Sequence, residues 1–482
     1  MKLHSHFSDQ SQDDSPAISA HIEILQLETA GCSFPVSVSV VDSPLVTAPI
    51  SGPPEPASLR ESETEWKQFM HQAKAVHSDR SLNSHIVGTR EAAIGSAMSN
   101  LLARVTRPVT NLERSGTPEA LYLSTDEATA AVSGRNEFPG PIITEGQQIF
   151  QFKGPGRPIE QLLAEYPPTL RVSVQDFSGA LWEPSFRIIP MSDLQTRFLS
   201  APGTIHQHPW NALDLYNPFP EDYPLTPRFL VNSPDCRFLH DLKSFLMHTD
   251  SASRPSPKRK DMARWYALER DILLAEPHAA TDSHQDGNGM GTWLTVNEGR
   301  IGFGWLSRPS PAQTAAWKLS HESGPSADGE EIPRQAQWRA IVLQPGQTVY
   351  FPGGTIHFVF RPEECQTLVF SGHVLRRSQT CNWIRLLSVQ LRQPQAQNED
   401  METTAKDLVR YAVPVLRAAV KRGWADRYGG VEEIERFMDL KKDFDQALVE
   451  AKTARMNVAL KGRRRERLVA DAVGGAQKKR RY

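Results

Sequence analysis

The stretch of sequence that decides the fold reads TDSHQDGNGMGTW and runs from Thr281 to Trp293. It places His284 and Asp286 two positions apart, just before a glycine-rich turn. Side chains at positions i and i+2 of an extended segment point to the same face, so these two could grip one metal ion. A third ligand then has to come from another strand.

The candidate third ligand is His357, which closes the segment GQTVYFPGGTIH at residues 346–357. This segment has a glycine turn, a β-rich run, a second turn and a histidine that opens a further strand. Two histidines and one carboxylate form the facial triad of non-haem Fe(II) oxygenases, which leaves coordination positions open. A structural zinc site, in contrast, is closed by four ligands. The pattern therefore predicts a catalytic metal site made of His284, Asp286 and His357.

The sequence around these residues resembles the JmjC family of 2-oxoglutarate oxygenases, and we interpret it as a fungal-like member. The matching stretches are Thr281–Asp286, Thr292–Gly299, Leu343–His357 and Leu368–Leu375, with Arg171–Asp176 and Pro209–Asp214 upstream. The resemblance is detailed over 225–390 and loose over 160–390. It implies an α+β fold, a double-stranded β-helix (cupin or jelly-roll) barrel with flanking helices and a helical C-terminal segment.

The resemblance also implies roles for individual residues. His284, Asp286 and His357 would bind Fe(II), and 2-oxoglutarate would be the co-substrate. Thr281 matches the family position whose hydroxyl binds the distal carboxylate of 2-oxoglutarate. Strand alternation alone puts Thr281 and His284 on opposite faces, so this role requires an irregularity in the strand.

The sequence departs from the family pattern at Ile301, where the family usually places a lysine that pairs with the same carboxylate. Arg300 is one residue short, and a shift of one residue normally moves a side chain to the other face. A β-bulge would return Arg300 to the pocket, which makes it the candidate cofactor-binding cation. Otherwise Arg300 faces solvent with Ile301 in the core, and the cation comes from another strand or co-substrate binding is impaired.

A second departure is His373, which stands where the family commonly has asparagine. It either lines the site or packs in the core, and packing is favoured.

The rest of the chain divides by composition and periodicity. We predict a mostly disordered N-terminal segment at 1–60, a helical segment at 61–118, a β-rich segment leading into the barrel at 119–224, the JmjC-like cupin domain at 225–392, C-terminal helices at 400–460 and a basic tail at 461–482. Within the cupin domain, a helix is predicted from Asp261 to Glu276, and residues 308–337 are interpreted as a polar insertion.

Composition excludes several classes of protein. Hydrophobic residues make up 39% and charged residues 23%, as in ordinary globular proteins. No apolar run approaches the roughly 20 residues that span a bilayer, so no membrane is expected. The N-terminal residues lack the apolar region of a secretory signal. The four cysteines are scattered, which argues against a disulfide framework or a zinc finger.

The basic tail carries a formal charge of +7 in a chain whose net charge is −2. Its two clusters, Lys461–Arg467 and Lys478–Arg481, resemble a bipartite nuclear import signal, and Pro257–Lys260 is a shorter candidate. We therefore predict a nuclear protein that binds the import machinery; the alternative is a solvated tail without a role. No helix-turn-helix or zinc-finger pattern supports sequence-specific DNA binding.

Together these observations favour an Fe(II)- and 2-oxoglutarate-dependent oxygenase that acts on protein, with histone tails as substrate and methyl-lysine demethylation as the reaction. One alternative is a cupin that has lost turnover and serves as a chromatin-associated scaffold or ligand sensor, which Ile301 favours. Another is a protein side-chain hydroxylase, which shares the chemistry but acts on a different substrate. The intact metal triad favours an enzyme.

Overall fold

A computed structural model describes residues 61–83, 90–113, 116–134, 138, 140–179, 185–200, 204–219, 225–249, 268, 270–322, 337–394 and 402–479. For residues 457–479 it describes the backbone only. The predicted disordered segment 1–60, the cluster Pro257–Lys260 and the side chains of the basic tail lie outside these limits.

The described chain is a mixed α+β structure. Its strands are β1 Leu121–Tyr122, β2 Ile142–Glu145, β3 Arg171–Gln175, β4 Phe186–Pro190, β5 Asn211–Tyr216, β6 Asp271–Ala275, β7 Ala280–His284, β8 Gly291–Glu298, β9 Ile301–Leu306, β10 Trp338–Leu343, β11 Gln347–Phe351, β12 His357–Phe360 and β13 Thr367–Val374. Its helices are α1 Glu63–Asn83, α2 Arg90–Ala103, α3 Thr125–Val132, α4 Pro158–Ala164, α5 Met191–Phe198, α6 Arg228–Asn232, α7 Phe238–Thr249, α8 Pro311–Glu322, α9 Thr380–Arg392, α10 Glu402–Lys421 and α11 Val431–Lys479. Among these, no helix has an apolar stretch long enough to span a bilayer.

The strands form two sheets with almost entirely antiparallel pairing. The large sheet has the order β1-β2-β11-β8-β13-β6-β5-β3-β4, and the small sheet has the order β10-β9-β12-β7. From β6 to β13 the chain crosses repeatedly between the sheets, with only β9 and β10 consecutive in one sheet. This connectivity is compatible with the predicted jelly-roll.

The two sheets face each other across an apolar core. Its members come from both sheets and include Leu294, Val296, Ile301, Phe303, Trp305, Ile341, Leu343, Val349, Phe351, Val359 and Val369. Helices α3 to α6 cover the outer face of the large sheet, and α1, α2 and α8 cover the outer face of the small one. Helices α7 and α9 to α11 form a further cluster beside the sheets. The inner core is therefore shielded on both sides.

Two glycines of β9 explain how the small sheet packs tightly on its outer face. Gly302 pairs with Phe360 and Gly304 with Phe358, and both phenylalanines are fully buried. A Cβ atom on Gly304 would lie 2.1 Å from the Phe358 ring, and one on Gly302 would lie 2.2 Å from the Phe360 ring. The aromatic rings thus occupy the space that side chains on β9 would need.

The structure corrects one prediction within the cupin region and adds a helix to a second. The helix predicted to continue to Glu276 is wrong at its C-terminal end, because Asp271–Ala275 forms β6 and pairs with β5 and β13. A short apolar run is compatible with both the helical and the strand periodicity. Here the run is a strand because it pairs with a neighbouring strand on each side. The polar insertion at 308–337 contains α8, whose Trp317 is buried and donates to the Ser283 hydroxyl at 3.0 Å.

We predict that Gly304→Ala destabilises the fold. The new methyl group must displace Phe358 from a closed layer, and overpacking of this kind costs about 1–3 kcal/mol. Thermal unfolding of the purified variant measures the effect. Gly154→Ala is the control, since its nearest neighbour is the end of the Gln161 side chain. Equal melting temperatures for the two variants would contradict this packing.

Candidate metal centre

Strand pairing brings the two histidines of the predicted triad together. His284 ends β7 and His357 begins β12, and the two residues lie directly opposite each other in the antiparallel pair. Their ring centroids are 4.3 Å apart. Asp286 follows two residues after His284, at the start of the turn Gly287–Gly289. Three residues separated by up to 73 positions in the sequence therefore share one location.

The potential ligand atoms lie close enough to share an ion. The Asp286 Oδ1 atom is 3.4 Å from His284 Nε2 and 3.6 Å from His357 Nε2, and the set lies within 4.8 Å. Ligand atoms about 2.1 Å from one ion and at right angles would lie about 3 Å apart. Two imidazoles and a carboxylate suit a divalent transition metal with open positions. The donor set therefore fits the metal that the sequence predicts.

Backbone carbonyls orient both imidazoles. The Nδ1 atom of His284 lies 2.8 Å from the Asp282 carbonyl oxygen, and that of His357 lies 3.1 Å from the Thr355 carbonyl oxygen. Because a carbonyl oxygen only accepts, each Nδ1 carries a proton, and in the neutral ring each Nε2 is left as the lone-pair donor. This arrangement of outer hydrogen bonds is typical of metal-binding histidines.

A second group of contacts fixes the carboxylate. The Thr292 hydroxyl donates to Asp286 Oδ2 at 2.6 Å, and the Gln390 side-chain amide donates to the Asp286 carbonyl at 2.8 Å. His373 Nδ1 lies 3.0 Å from the same Thr292 oxygen. His373 therefore lines the site, contrary to the favoured prediction that it only packs. Thr292 and Gln390 were missed by sequence reasoning, which offered no ligand-type signal at either position.

Helix α9 also holds the turn that follows Asp286. Trp383 Nε1 donates to the Asn288 carbonyl at 2.9 Å. Asn288 has a φ of 62°, a left-handed conformation that asparagine tolerates better than most residues. The turn is thus anchored by the same helix that supplies Gln390.

The charges of the three residues are strongly coupled. Burial opposes ionisation of Asp286, but the nearby His357 and the hydrogen bond from His284 outweigh it and lower the pKa of the carboxyl below its usual range. Burial lowers the pKa of His357 to about 4. Burial also acts to lower the pKa of His284, but the hydrogen bond and charge of Asp286 raise it above 6.5. The centre thus has an ionised carboxylate and a neutral His357 at neutral pH.

The strand irregularity that the role of Thr281 requires is present in β7. Val359 pairs with Thr281 while His357 pairs with His284, so β7 has one more residue than β12 between these pairs. Such a bulge restores Thr281 to the face that carries His284. Its hydroxyl accepts from the Asn211 side-chain amide at 3.1 Å. The role of Thr281 in binding a carboxylate stays a prediction.

Arg300 does not join this cluster. Its guanidinium pairs with Glu363 and lies over the Phe69 ring of α1 at 5.6 Å, on the outer side of the small sheet. Ile301 is fully buried in the core between the sheets. No bulge returns Arg300 to the inner face, so the structure shows the alternative in which Ile301 occupies the core and Arg300 points outward.

Comparison with known proteins supports a JmjC-type protein. JmjC domain-containing histone demethylation protein 1 of Caenorhabditis briggsae is 22% identical over 263 residues, which cover 53% of this chain and 22% of that protein. The protein of the same name from Caenorhabditis elegans is 28% identical over 134 residues, 27% of this chain and 11% of the relative. Lysine-specific demethylase 2A of Xenopus tropicalis is 30% identical over 126 residues, 26% and 10% respectively.

The chain thus spans between a tenth and about a fifth of the length of these curated relatives. No family model matches it. The fungal-like assignment stays a prediction.

We predict that the centre binds Mn(II), a redox-inert stand-in for Fe(II), and that His357→Ala weakens binding by more than about 100-fold. Thr292→Val, which frees the second carboxylate oxygen, should cost about 10–100-fold, as is typical for an outer partner. Isothermal titration calorimetry measures both effects. The exposed His240 on α7 provides the control variant His240→Ala. Unchanged affinity in His357→Ala would exclude this metal centre.

Metal affinity should also fall as the pH is lowered through the pKa of His284. The proton on His284 competes with the ion, so each pH unit below that pKa should weaken binding by up to about tenfold. His357 should not contribute above about pH 5, since it is already neutral there. Titrations of Mn(II) at several pH values, in buffers of different ionisation enthalpy, count the protons released. An affinity independent of pH below neutrality would contradict the coupling between His284 and Asp286.

Proposed function

We propose that the chain is an Fe(II)- and 2-oxoglutarate-dependent protein oxygenase built on a double-stranded β-helix barrel. The observation that carries this proposal is the approach of His284, Asp286 and His357 to within 4.8 Å at one end of the two facing sheets. The alternation of β6 to β13 between the sheets supports the barrel. Fe(II) with 2-oxoglutarate and O2 would supply the oxidation of a substrate C–H bond.

The protein's own residues would hold and shield the reacting groups. The triad would hold the metal on one side and leave the other side open. Phe351 and Phe303 pack beside His357, with ring centroids 4.6 Å and 5.7 Å away, and exclude water from the core side of the centre. Thr281 and Asn211 form a polar contact on the same inner face as His284. The two aromatic contacts would keep the His357 ring in place.

Histone methyl-lysine demethylation is the subclass we favour. The relatives that match this chain are named as a histone demethylation protein and a lysine-specific demethylase. A protein side-chain hydroxylase would use the same centre on a different C–H bond. We propose histone tails as substrate on the names of the relatives alone.

A scaffold or ligand sensor that has lost turnover is the second candidate. It is favoured by one observation: the position of the expected lysine holds the buried, uncharged Ile301. The intact triad favours the enzyme, since loss of a metal ligand is the simplest route to inactivity. For either function we propose a nuclear location and recognition by the import machinery, based on the basic clusters Lys461–Arg467 and Lys478–Arg481.

Succinate formation separates the enzyme from the scaffold. Purified full-length protein with Fe(II), ascorbate, O2 and 2-oxoglutarate should form succinate slowly even without protein substrate. His284→Ala should reduce succinate to background because it removes one ligand, and His240→Ala should not. Addition of methylated histone peptides should accelerate the reaction and release formaldehyde. If the wild type forms no more succinate than His284→Ala, the result would support the scaffold and contradict the enzyme.

A further inference from the structure

Arg361 is a buried cation that the described contacts leave incompletely satisfied. It follows β12 directly and is 2% exposed. Its Nε donates to the Thr367 hydroxyl at 2.7 Å, while its buried Nη1 has no hydrogen-bond partner. Among the residues that the structure describes, no carboxylate pairs with it. A buried charge without a counter-charge typically costs several kcal/mol, so such a group is usually paired or serves a ligand.

The register between β12 and β9, continued by one residue past the end of β12, aligns Arg361 with Ile301. The last pair between β12 and β9 is Phe360 with Gly302, so the next position outward aligns Arg361 with Ile301. Residues directly opposite in an antiparallel pair project to the same face. Alternation along β12 gives the same result, because Val359 belongs to the core between the sheets. Arg361, directly after β12, therefore offers a cation opposite the position on β9 where the family's lysine is replaced by Ile301.

The spacing along the strand suits a ligand shared with the metal centre. His357 and Arg361 are four residues apart, about 13 Å between Cα atoms at 3.3 Å per residue. The long side chain of Arg361 can bring its guanidinium closer to the metal centre than the Cα atoms are, as a lysine side chain at position 301 would. A five-carbon 2-oxo dicarboxylic acid carries two carboxylates, one that can bind at the metal centre and one that can reach toward the guanidinium. The guanidinium fork also matches a carboxylate better than an ammonium group does.

We propose that Arg361 binds the distal carboxylate of 2-oxoglutarate and thereby replaces the lysine absent at Ile301. The inference rests on the proposed function and deepens it by naming the residue that selects a dicarboxylic acid. Burial lowers the pKa of Arg361 to about 10, so the side chain stays charged at neutral pH. The other arginine considered for this role, Arg300, is already paired with Glu363.

The test compares two 2-oxo acids that differ in the distal carboxylate. Mn(II)-loaded full-length protein is titrated with 2-oxoglutarate and with pyruvate, which lacks that group. Wild-type protein should prefer 2-oxoglutarate, and Arg361→Gln should weaken its binding by about 10–100-fold, the usual size of a charge-assisted contact. Pyruvate affinity should change by less than about threefold, because the contact is not made. Arg300→Gln is the matched control and should leave both affinities unchanged.

A rescue variant separates ligand binding from folding. The double variant Ile301→Lys/Arg361→Gln keeps one cation in the pair of facing positions and should regain a preference for 2-oxoglutarate. It also serves as the test if Arg361→Gln alone does not fold, as judged by thermal unfolding and Mn(II) binding. A structural role for Arg361 predicts instead an equal loss of affinity for both acids and no rescue, which would overturn the proposal.

The outcomes also distinguish this inference from the proposed function. If Arg361→Gln removes the preference for 2-oxoglutarate but wild type forms no succinate, the inference stands and the oxygenase fails. If wild type forms succinate and Arg361→Gln keeps the preference, the inference fails and the oxygenase stands. If the Mn(II)-loaded wild type binds neither acid, the inference and the co-substrate assignment fail together.

Discussion

The pairing of β7 with β12 is the constraint on which the centre depends. It places His284 directly opposite His357, and the carbonyls of Asp282 and Thr355 fix both rings with Nε2 toward Asp286. A slip of one residue would turn one imidazole outward. The register is held by the core on the inner face and by Phe358 and Phe360 against the glycines of β9 on the outer face. The packing of Phe358 and Phe360 therefore helps to keep His284 and His357 opposite each other.

The space between the sheets changes character along the strands. One end holds the triad with Thr292, His373, Thr281 and Asn211, and the remainder is lined by aliphatic and aromatic side chains. Beyond the apolar stretch lies the buried Arg361, whose Nε donates to the buried Thr367 hydroxyl. The core between the sheets therefore has buried polar groups at both ends of an apolar stretch.

Part of this site follows from the sequence alone. The residue types and spacing of the His-x-Asp pair and the distant histidine predict the triad. Strand alternation shows that Thr281 can face the site only if β7 is irregular. The sequence does not reveal that Thr292 supports Asp286, because a threonine in a β-strand is common and only the cross-strand geometry makes it special. Helix α8 was missed because its polar composition hides one buried tryptophan, and β6 was mistaken because a short apolar run has no unique period. The role suggested for Arg361 depends on register, which no single-sequence pattern reports.

Helix α9 connects the C-terminal bundle to the candidate metal centre. Gln390 holds the backbone at Asp286 and Trp383 holds it at Asn288 within the following turn, while the opposite face of the helix packs on α11. A bound molecule that shifts the bundle would also displace the peptide units next to the Asp286 carboxylate. A fragment ending at β13 would therefore lack the two hydrogen bonds by which α9 holds the backbone next to Asp286.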